Sequence, residues 1–243
     1  MQIARALILA TGLAAVLLAG CGGDGDEPGV RTPSTGGVAG GPEPSVNGPA
    51  SKYAPFVEEL AGSFEVFPPE LFGLTPSTWG LTGPFPGQDG EAMAEELGYV
   101  EGYQVQYNPD GLLAGVLQGR YYLVVQTHVF KDAEGARQAF AAYSETTSNT
   151  AGARALSPRG LGNEWLAYEL PKDTVGSSDT VAVYHRFVFR RGNVVAWVQT
   201  YGAQPFMTID AARDVAVMID GRLLGTVEAI EPTPIPSVVP ETS

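Results

Sequence analysis

The sequence predicts an α+β domain, in which an antiparallel sheet carries packed helices, between two terminal segments without regular structure. The first observation is composition: 44% of the 243 residues are hydrophobic and one is cysteine, so the chain has apolar mass for one core and no disulfide framework. The second is a series of extended runs joined by short turns, which predicts hairpins. The third is a pair of segments with apolar residues at helical spacing, which predicts helices packed on the sheet.

The chain begins with a segment typical of an export signal. Arg5 supplies a positive charge, and residues 6–18 are apolar apart from Thr11 and Gly12. A run of this length is too short to span a bilayer, which takes about 20 apolar residues. Residues 1–20 are therefore predicted to form a signal peptide.

The signal segment ends in Leu18-Ala19-Gly20-Cys21. Small side chains before the cysteine leave the backbone accessible to a peptidase, and a thiol is the best nucleophile available for alkylation. These residues resemble the lipobox of bacterial lipoproteins. The resemblance implies a lipid with palmitate-like acyl chains on Cys21 and cleavage between Gly20 and Cys21, and it covers residues 1–21 alone.

The resemblance also implies where the protein resides and how it contacts a membrane. It places the chain on the outer face of the cytoplasmic membrane, or on the outer membrane of a cell that has one, held through the lipid on Cys21. Durable anchoring takes two or more acyl chains. A net charge of -13 opposes binding to nucleic acid or to bare anionic lipid. A small-molecule or protein partner is left unspecified.

Both ends of the exported chain favour disorder. Residues 22–50 contain nine glycines, five prolines and no aromatic residue, which cannot bury enough surface to offset the entropy of ordering. With the lipidated cysteine, residues 21–50 are predicted to be a flexible tether. Residues 231–243 alternate proline with other residues and are predicted to be a disordered tail. The remainder, 51–230, is about 180 residues long and is predicted to be a single globular domain.

The first third of this domain is rich in aromatic residues and prolines. Residues 52–60 predict a short helix, and residues 61–90 predict an irregular segment, because its prolines prevent long regular elements. The aromatic residues between 64 and 85 are interpreted as a packed lid over the core, with a ligand groove as the alternative. A second short helix is predicted at 91–97.

Strands follow from the alternation of the next segment. Residues 103–107 predict a strand, turn residues follow, and 113–117 predict a second extended run. Residues 120–130 are apolar on both faces, so this strand is predicted to be central in the sheet. Asp132 can cap a helix that runs to about residue 144.

A similar order of elements is predicted in the second half. It comprises a strand at 165–170, a hairpin formed by 180–190 and 193–201, and a helix capped by Thr208 that runs to about residue 224. The layout resembles sensor-like domains of uncharacterised bacterial lipoproteins and the PsbP/Mog1-like fold.

The two halves share a short sequence. Val-Gln-Thr occurs at 125–127 and again at 198–200, each time followed by an Ala-Arg pair. A degenerate strand–helix repeat explains this likeness, and chance is the alternative.

No set of residues predicts a catalytic, metal-binding or cofactor-binding site. His128 and His185 fall in predicted strands and could share a metal across the sheet, but two ligands do not make a site. No Gly-x-Ser-x-Gly or Ser-x-x-Lys motif is present, and residues 177–179 are interpreted as a turn. The glycines at 160 and 162 likewise predict a turn rather than a phosphate loop.

One basic concentration stands out in this acidic chain, and it comprises Arg186, Arg190 and Arg191. Arg186 and Arg190 lie on the same face of a predicted strand. They could receive an anionic ligand, although pairing with carboxylates is the favoured interpretation.

The sequence therefore favours a non-catalytic, lipid-anchored domain that binds or senses a ligand outside the cytoplasm. Two alternatives stay open. A hydrolase acting on envelope material would need two converging Asp or Glu side chains, one of them desolvated. A scaffold or assembly subunit would show a contiguous exposed apolar patch.

Overall fold

The computed structural model describes residues 40–67, 73–84, 89–170 and 173–229. All of them belong to one compact unit. The predicted signal peptide, Cys21, most of the tether and the C-terminal tail lie outside the described residues and stay predictions. In the described part of the chain, no helix has both the length and the apolar character needed to cross a membrane.

Eight strands form one antiparallel sheet, and the predicted α+β architecture is confirmed. The strands are β1 (Phe64–Phe67), β2 (Gly73–Leu74), β3 (Tyr99–Pro109), β4 (Tyr121–Phe130), β5 (Arg154–Ala155), β6 (Glu164–Leu170), β7 (Ala182–Arg191) and β8 (Val194–Ala203). Their order in the sheet is β1-β3-β4-β8-β7-β6-β5, and β2 pairs with β3 beside this path.

Strand β4 lies at the centre of the sheet, as the apolar residues on both its faces predict. It pairs with β3 on one side and with β8 on the other. In the β4–β8 pair, Val125 stands opposite Val198. Because side chains alternate along a strand, this register decides which residues of both strands share a face.

Five helices accompany the sheet in the described residues, and two of them are long. They are α1 (Pro76–Thr82), α2 (Gly90–Glu96), α3 (Leu112–Val116), α4 (Ala133–Ser148) and α5 (Ile209–Leu223). The Asp132 side chain accepts a hydrogen bond from the Gly135 N–H at 2.9 Å, and Thr208 Oγ1 accepts one from the Asp210 N–H at 3.3 Å. Both predicted caps are confirmed, and each satisfies a backbone donor that the first helical turn leaves unpaired.

The two long helices pack on opposite faces of the sheet. Helix α5 lies against β6, β7 and β8 on the face that carries Val125 and Val198, here called the α5 face. Helix α4 lies against β4, β7 and β8 on the other face, here called the α4 face, which carries Phe130 and Val195. The sheet is thus the middle of three layers, with an apolar core on each side.

This arrangement limits the likeness between the two halves of the chain to their strands. The Val-Gln-Thr segments lie in adjacent strands around the Val125–Val198 pair. The helices that follow them cover different faces. A strand–helix unit is therefore not repeated as a whole.

Two predicted elements differ from the structure. The helix predicted at 52–60 is replaced by two short 3-10 turns, Ala50–Tyr53 and Val57–Glu59. Pro55 lies between them and holds Ala54 in extended backbone with a ψ of 147°, because the residue before a proline is disfavoured in a helix.

The extended run predicted at 113–117 is also wrong, since this segment forms the short helix α3. Gly111 has a φ of 76° and turns the chain out of β3. Its carbonyl then accepts a hydrogen bond from the Gly115 N–H at 3.2 Å, which closes a helical turn instead of a hairpin.

Residues 40–50, which the sequence places in the tether, lie against the domain. Asn193 accepts a hydrogen bond from the Val46 N–H at 2.8 Å, and Glu43 pairs with Arg190 at 2.8 Å. The Ala50 carbonyl accepts a hydrogen bond from Thr127, and Ala50 is buried. Polar side chains around the β7–β8 turn thus give this segment partners, so residues 40–50 of the predicted flexible tether are packed against the domain.

We expect the buried ion pair between α5 and the β7–β8 hairpin to be essential for stability. Arg191 donates to both carboxylate oxygens of Asp220 at 2.7 and 2.8 Å, and both side chains are buried. Asp220→Asn leaves the guanidinium without a counter-charge and is expected to lower the free energy of unfolding by about 3 to 5 kcal/mol. Denaturant titration at pH 7 measures it. Glu134→Gln, which breaks an exposed pair on α4, is the control, and equal losses would contradict the expectation.

Candidate functional site

Helix α4 leaves part of the face beneath it uncovered. Thr147, in its last turn, accepts a hydrogen bond from Arg186, and the sheet extends beyond that point. Of the ten side chains there, seven are partly exposed although they belong to an interior face of the sheet, and Gln126, Trp197 and Gln199 are buried. We call this set the open floor, and its members are Gln104, Gln106, Tyr122, Val124, Gln126, Tyr184, Arg186, Trp197, Gln199 and Tyr201.

The open floor is organised in rows that run across the strands. Gln199 of β8 stands between Val124 of β4 and Arg186 of β7. In the neighbouring row, Tyr201 stands opposite Tyr184 on one side, and β4 presents Tyr122 on the other. Since neighbouring strands lie about 4.8 Å apart, the floor spans about 14 Å from β3 to β7.

Arg186 is the one cation of the open floor. Its Nε and Nη2 donate to Gln199 Oε1 at 3.2 and 2.9 Å, and its Nη1 donates to Thr147 Oγ1 at 3.3 Å. The guanidinium carbon lies 4.8 Å from the centre of the Trp197 ring, which stabilises the positive charge by a cation–π interaction. Neutral groups thus hold Arg186 in place.

Arg186 differs from the other arginines of the sequence-predicted basic concentration. Arg190 pairs with Glu164 and Glu43, and Arg191 pairs with Asp220. The favoured interpretation, pairing with carboxylates, holds for these two residues. Arg186 has no carboxylate within 4.0 Å among the described residues. Its burial lowers the pKa of the guanidinium to about 10, so the group stays charged at pH 7.

Three tyrosines form the aromatic part of the floor. The ring centres of Tyr184 and Tyr201 lie 4.6 Å apart, and those of Tyr122 and Tyr201 lie 5.8 Å apart. All three side chains are partly exposed. Burial and the neighbouring Tyr201 and Asp173 raise the pKa of Tyr184 to about 12. These hydroxyls therefore remain neutral and can donate hydrogen bonds.

A chain of polar side chains connects the floor to the core beneath α1 and α4. Gln104 accepts a hydrogen bond from Gln126, whose Oε1 lies 3.1 Å from His128 Nε2. His128 Nε2 also lies 3.2 Å from the Tyr143 hydroxyl, which accepts a hydrogen bond from the Trp79 indole at 3.0 Å. Because an amide oxygen can only accept, His128 carries its proton on Nε2.

The other nitrogen of His128 completes this chain. His128 Nδ1 lies 3.4 Å from the Tyr99 hydroxyl, whose single proton is shared between this nitrogen and the Leu74 carbonyl at 3.5 Å. His128 is fully buried, and burial lowers its pKa to about 3. The imidazole is therefore neutral at every physiological pH and acts as a fixed connector.

The two histidines lie on opposite faces of the sheet. His128 faces α4, whereas His185 stands opposite Thr200 on the α5 face and lies 3.7 Å from Glu169. They cannot share a metal ion. A group of three or more potential metal ligands does not occur in the parts of the chain that the structure describes.

The turns that the sequence singled out are turns in the structure. Ser178 donates to the Val175 carbonyl at 2.7 Å. Gly162 has a φ of 70°, and a Cβ at this position would overlap the Arg190 carbonyl. Asn163 then accepts a hydrogen bond from the Gly192 N–H, which ties this turn to the β7–β8 hairpin. Neither turn forms part of a catalytic arrangement.

In the aromatic segment at 64–85, Trp79 packs as the lid interpretation predicts, whereas Phe67 does not. Trp79 is fully buried and stacks on Tyr99, with ring centres 4.4 Å apart. Phe67 on β1 is 44% exposed. Phe72 and Phe85 lie outside the described residues.

Exposed apolar side chains gather at the end of the sheet where β3 ends and β7 begins. Leu113 of α3 lies against Gly176, and the Phe206 ring lies against Gly119. We call this group the apolar tip, and its exposed members are Leu112, Leu113, Leu117, Val181 and Phe206. The scaffold hypothesis likewise depends on exposed apolar side chains.

The hydrolase hypothesis requires a different feature, a desolvated carboxylate in a cleft. Asp220 is the one buried carboxylate of the described residues. Its two oxygens both accept hydrogen bonds from Arg191. Asp220 is thus committed to an ion pair.

Sequence reasoning identified Arg186 as a candidate anion receptor but missed its partners. Gln126, Gln199 and the three tyrosines come from three strands, and only the register brings them together. The sequences of β4 and β7 nevertheless contain a pattern that indicates such a face. Tyr122 and Gln126 in β4, and Tyr184 and Arg186 in β7, carry polar groups at even spacing along their strands, which indicates that one face of these strands is partly polar.

Comparison with known proteins gives a likeness to a solved structure but no match to a family model or a curated protein. The chain is similar to the crystal structure of the extracellular domain of PknH from Mycobacterium tuberculosis, with 16% sequence identity and a TM-score of 0.35. The match covers 68% of this chain and 80% of that chain.

Neutral burial of His128 makes stability depend on pH. Its pKa of about 3 in the folded protein lies below the value of about 6.5 in an unfolded chain, so acid favours the unfolded state, which binds the proton first. Between pH 7 and pH 5, wild type is expected to lose about 2 kcal/mol more unfolding free energy than His128→Gln. Urea titration of both proteins at each pH measures this difference. Parallel losses would contradict the neutral burial of His128.

Proposed function

We propose that the protein is a lipid-anchored extracytoplasmic lipoprotein whose domain binds a small ligand on the open floor without transforming it. The observation that carries this proposal is the floor itself: an interior sheet face, partly exposed, that holds one arginine without a carboxylate partner among tyrosines and amides. Ligand sites combine aromatic surface with a few polar groups in this manner.

The energetics of the floor support a binding role. Gln199 and Gln126 are buried to 6% and 9% exposure, and burying polar groups is favourable only when they are hydrogen-bonded. A guanidinium in the same surroundings adds a larger desolvation cost. A floor that served packing alone would be more stable with apolar side chains at these positions.

The anchor rests on residues 1–21. The resemblance of Leu18-Ala19-Gly20-Cys21 to the lipobox supports lipidation of the cysteine after export. Residue 40, where the described chain begins, adjoins the segment bound at the β7–β8 turn. A tether reaching residue 40 would attach the domain at that end of the sheet.

The anchor predicts a defined mature amino terminus. In a bacterial host, wild type is expected to begin at Cys21 and to carry a diacylglyceryl group, whereas Cys21→Ala keeps residues 1–20 and carries no lipid. Intact-mass and peptide mass spectrometry measure both properties. Gly20→Ala, which keeps a small residue before the cysteine, is the control and is expected to be processed. An unmodified Cys21 or a different amino terminus in wild type would refute the anchor.

Ligand binding on the floor predicts a local spectroscopic response. The chain has three tryptophans, so labelling with 5-fluorotryptophan gives three fluorine signals. Compounds from a screen of small acids, amides and sugars are expected to shift the signal of Trp197. Trp165 stacks on Phe187 on the opposite face and is expected to stay unchanged.

A matched pair of variants tests the location of binding. Tyr201→Ala is expected to weaken binding about 2- to 10-fold, because an aromatic contact contributes about 0.5 to 1.5 kcal/mol. Tyr121→Ala, on the opposite face beside Phe64, is the control. If no compound moves the Trp197 signal, the proposed ligand binding is wrong.

A scaffold or assembly role is the second candidate, and the apolar tip favours it. Large apolar side chains exposed together are typical of surfaces that contact another protein. The five residues come from α3 and its C-terminal end, from the position before β7 and from the segment after β8, all at one end of the sheet.

A further inference from the structure

We propose that the open floor binds a small compound that carries one carboxylate and one ring, with the carboxylate on Arg186 and the ring on the tyrosines. This inference rests on the proposed ligand binding and adds the chemical class of the ligand. It is carried by the hydrogen-bonding geometry of Arg186, by the charges around it and by the spacing between the arginine and the tyrosine row.

Arg186 keeps donors available for an anion. A guanidinium has five N–H groups, and three of the Arg186 groups donate to Gln199 and Thr147. One N–H on each terminal nitrogen is left without a partner among the described residues. Because Gln199 and Thr147 hold the guanidinium in a fixed orientation, a ligand would meet these donors already arranged.

The surroundings of Arg186 favour an anionic acceptor over a neutral one. Every other described arginine that is buried or partly buried has a carboxylate within 4.0 Å, as Arg190, Arg191 and Arg222 illustrate. The Trp197 ring offsets only part of the desolvation cost of the Arg186 charge. Hydrogen bonds from a cation to an anion are about twice as strong as those between neutral groups.

The charge balance favours one negative charge on the ligand. Arg186 is the single cation of the floor, and the chain as a whole has a net charge of -13. A polyanion would be repelled by this field. A carboxylate, with one charge and two acceptor oxygens, matches one guanidinium.

The position of Asp173 determines which end of the floor favours the negative charge of a ligand. The Asp173 carbonyl accepts a hydrogen bond from the Ala182 N–H, so Asp173 lies beside the start of β7, at the tyrosine end of the floor. Burial raises the pKa of the Tyr184 and Tyr201 hydroxyls, and the negative charge of Asp173 raises it further. A ligand anion is therefore disfavoured at the tyrosine end of the floor and favoured at the Arg186 end.

The tyrosine row lies at a suitable distance for a ring. Tyr184 is two residues from Arg186 along β7, which separates the two rows by about 6 to 7 Å. A carboxylate joined to a ring by a short spacer spans this distance. The ring could be aromatic or a sugar, since both stack on tyrosine faces.

The test uses the full chain labelled with 5-fluorotryptophan and the matched probes 3-phenylpropionate and 3-phenylpropionamide. The acid is expected to shift the Trp197 signal at concentrations about tenfold lower than the amide, because one charge-assisted interaction is lost in the amide. Propionate, which has no ring, and inorganic phosphate, which carries more charge, are both expected to bind more weakly than the acid.

Two variants locate the effect. Arg186→Gln is expected to abolish the difference between acid and amide, and Arg186→Lys is expected to keep part of it, because lysine keeps the charge but loses the planar fork. Arg159→Gln is the control: it removes the same charge from an exposed arginine and is expected to leave the difference intact.

The outcomes distinguish a failure of the carboxylate inference from a failure of ligand binding on the floor. Equal binding of acid and amide to wild type would overturn the carboxylate inference while ligand binding on the floor stands, and this comparison needs no variant to fold. Tighter binding of phosphate than of the acid would overturn it as well. If none of the probes and no compound of the wider screen moves the Trp197 signal, ligand binding on the floor itself fails.

Discussion

The pairing of β4 with β8 is the constraint on which the rest of the structure depends. These strands join the two halves of the chain at the centre of the sheet, and their register places Val125 opposite Val198. A slip of one residue would invert the faces of one strand relative to the other. Either Val125 or Val198 would then leave the core under α5, and Gln126 or Gln199 of the same strand would enter it without its partners. The apolar core on the α5 face and the polar floor on the α4 face are therefore two results of one register.

The candidate site exists because the two faces of the sheet are covered unequally. On the α5 face, helix α5 covers β6 to β8 and the turn Ala50–Tyr53 covers β3 and β4, so that face is closed. On the α4 face, helix α4 ends at Ser148, and the small cluster around Val116 and Val175 covers the opposite end of the sheet. The floor lies between them. Its amides continue into the buried chain through His128, so the core holds the floor rigid.

Local patterns predicted the parts of the fold that depend on neighbouring residues. The strand at 120–130 and the caps Asp132 and Thr208 were predicted because alternation and capping act over a few residues. Contacts distant in sequence were not predictable in the same way. Residues 40–50 have the composition of a flexible tether. Their partners, Asn193 and Arg190, lie about 150 positions further along the chain, so no local pattern predicts these contacts. The face that each long helix covers is likewise decided by packing, which amphipathic spacing alone does not specify.

The three arginines of β7 show why charge in a sequence does not identify a binding site. Arg190 and Arg191 lie at the turn end of the strand, where Glu164, Glu43 and Asp220 arrive from other elements and neutralise them. Arg186 lies four residues earlier on the same face as Arg190, beneath the end of α4, where Thr147 and Trp197 arrive instead. Identical side chains in one strand thus have different roles because the surrounding elements supply carboxylates at one place and neutral groups at the other. A buried guanidinium whose own fold supplies only neutral partners is most strongly stabilised when a ligand supplies the missing charge.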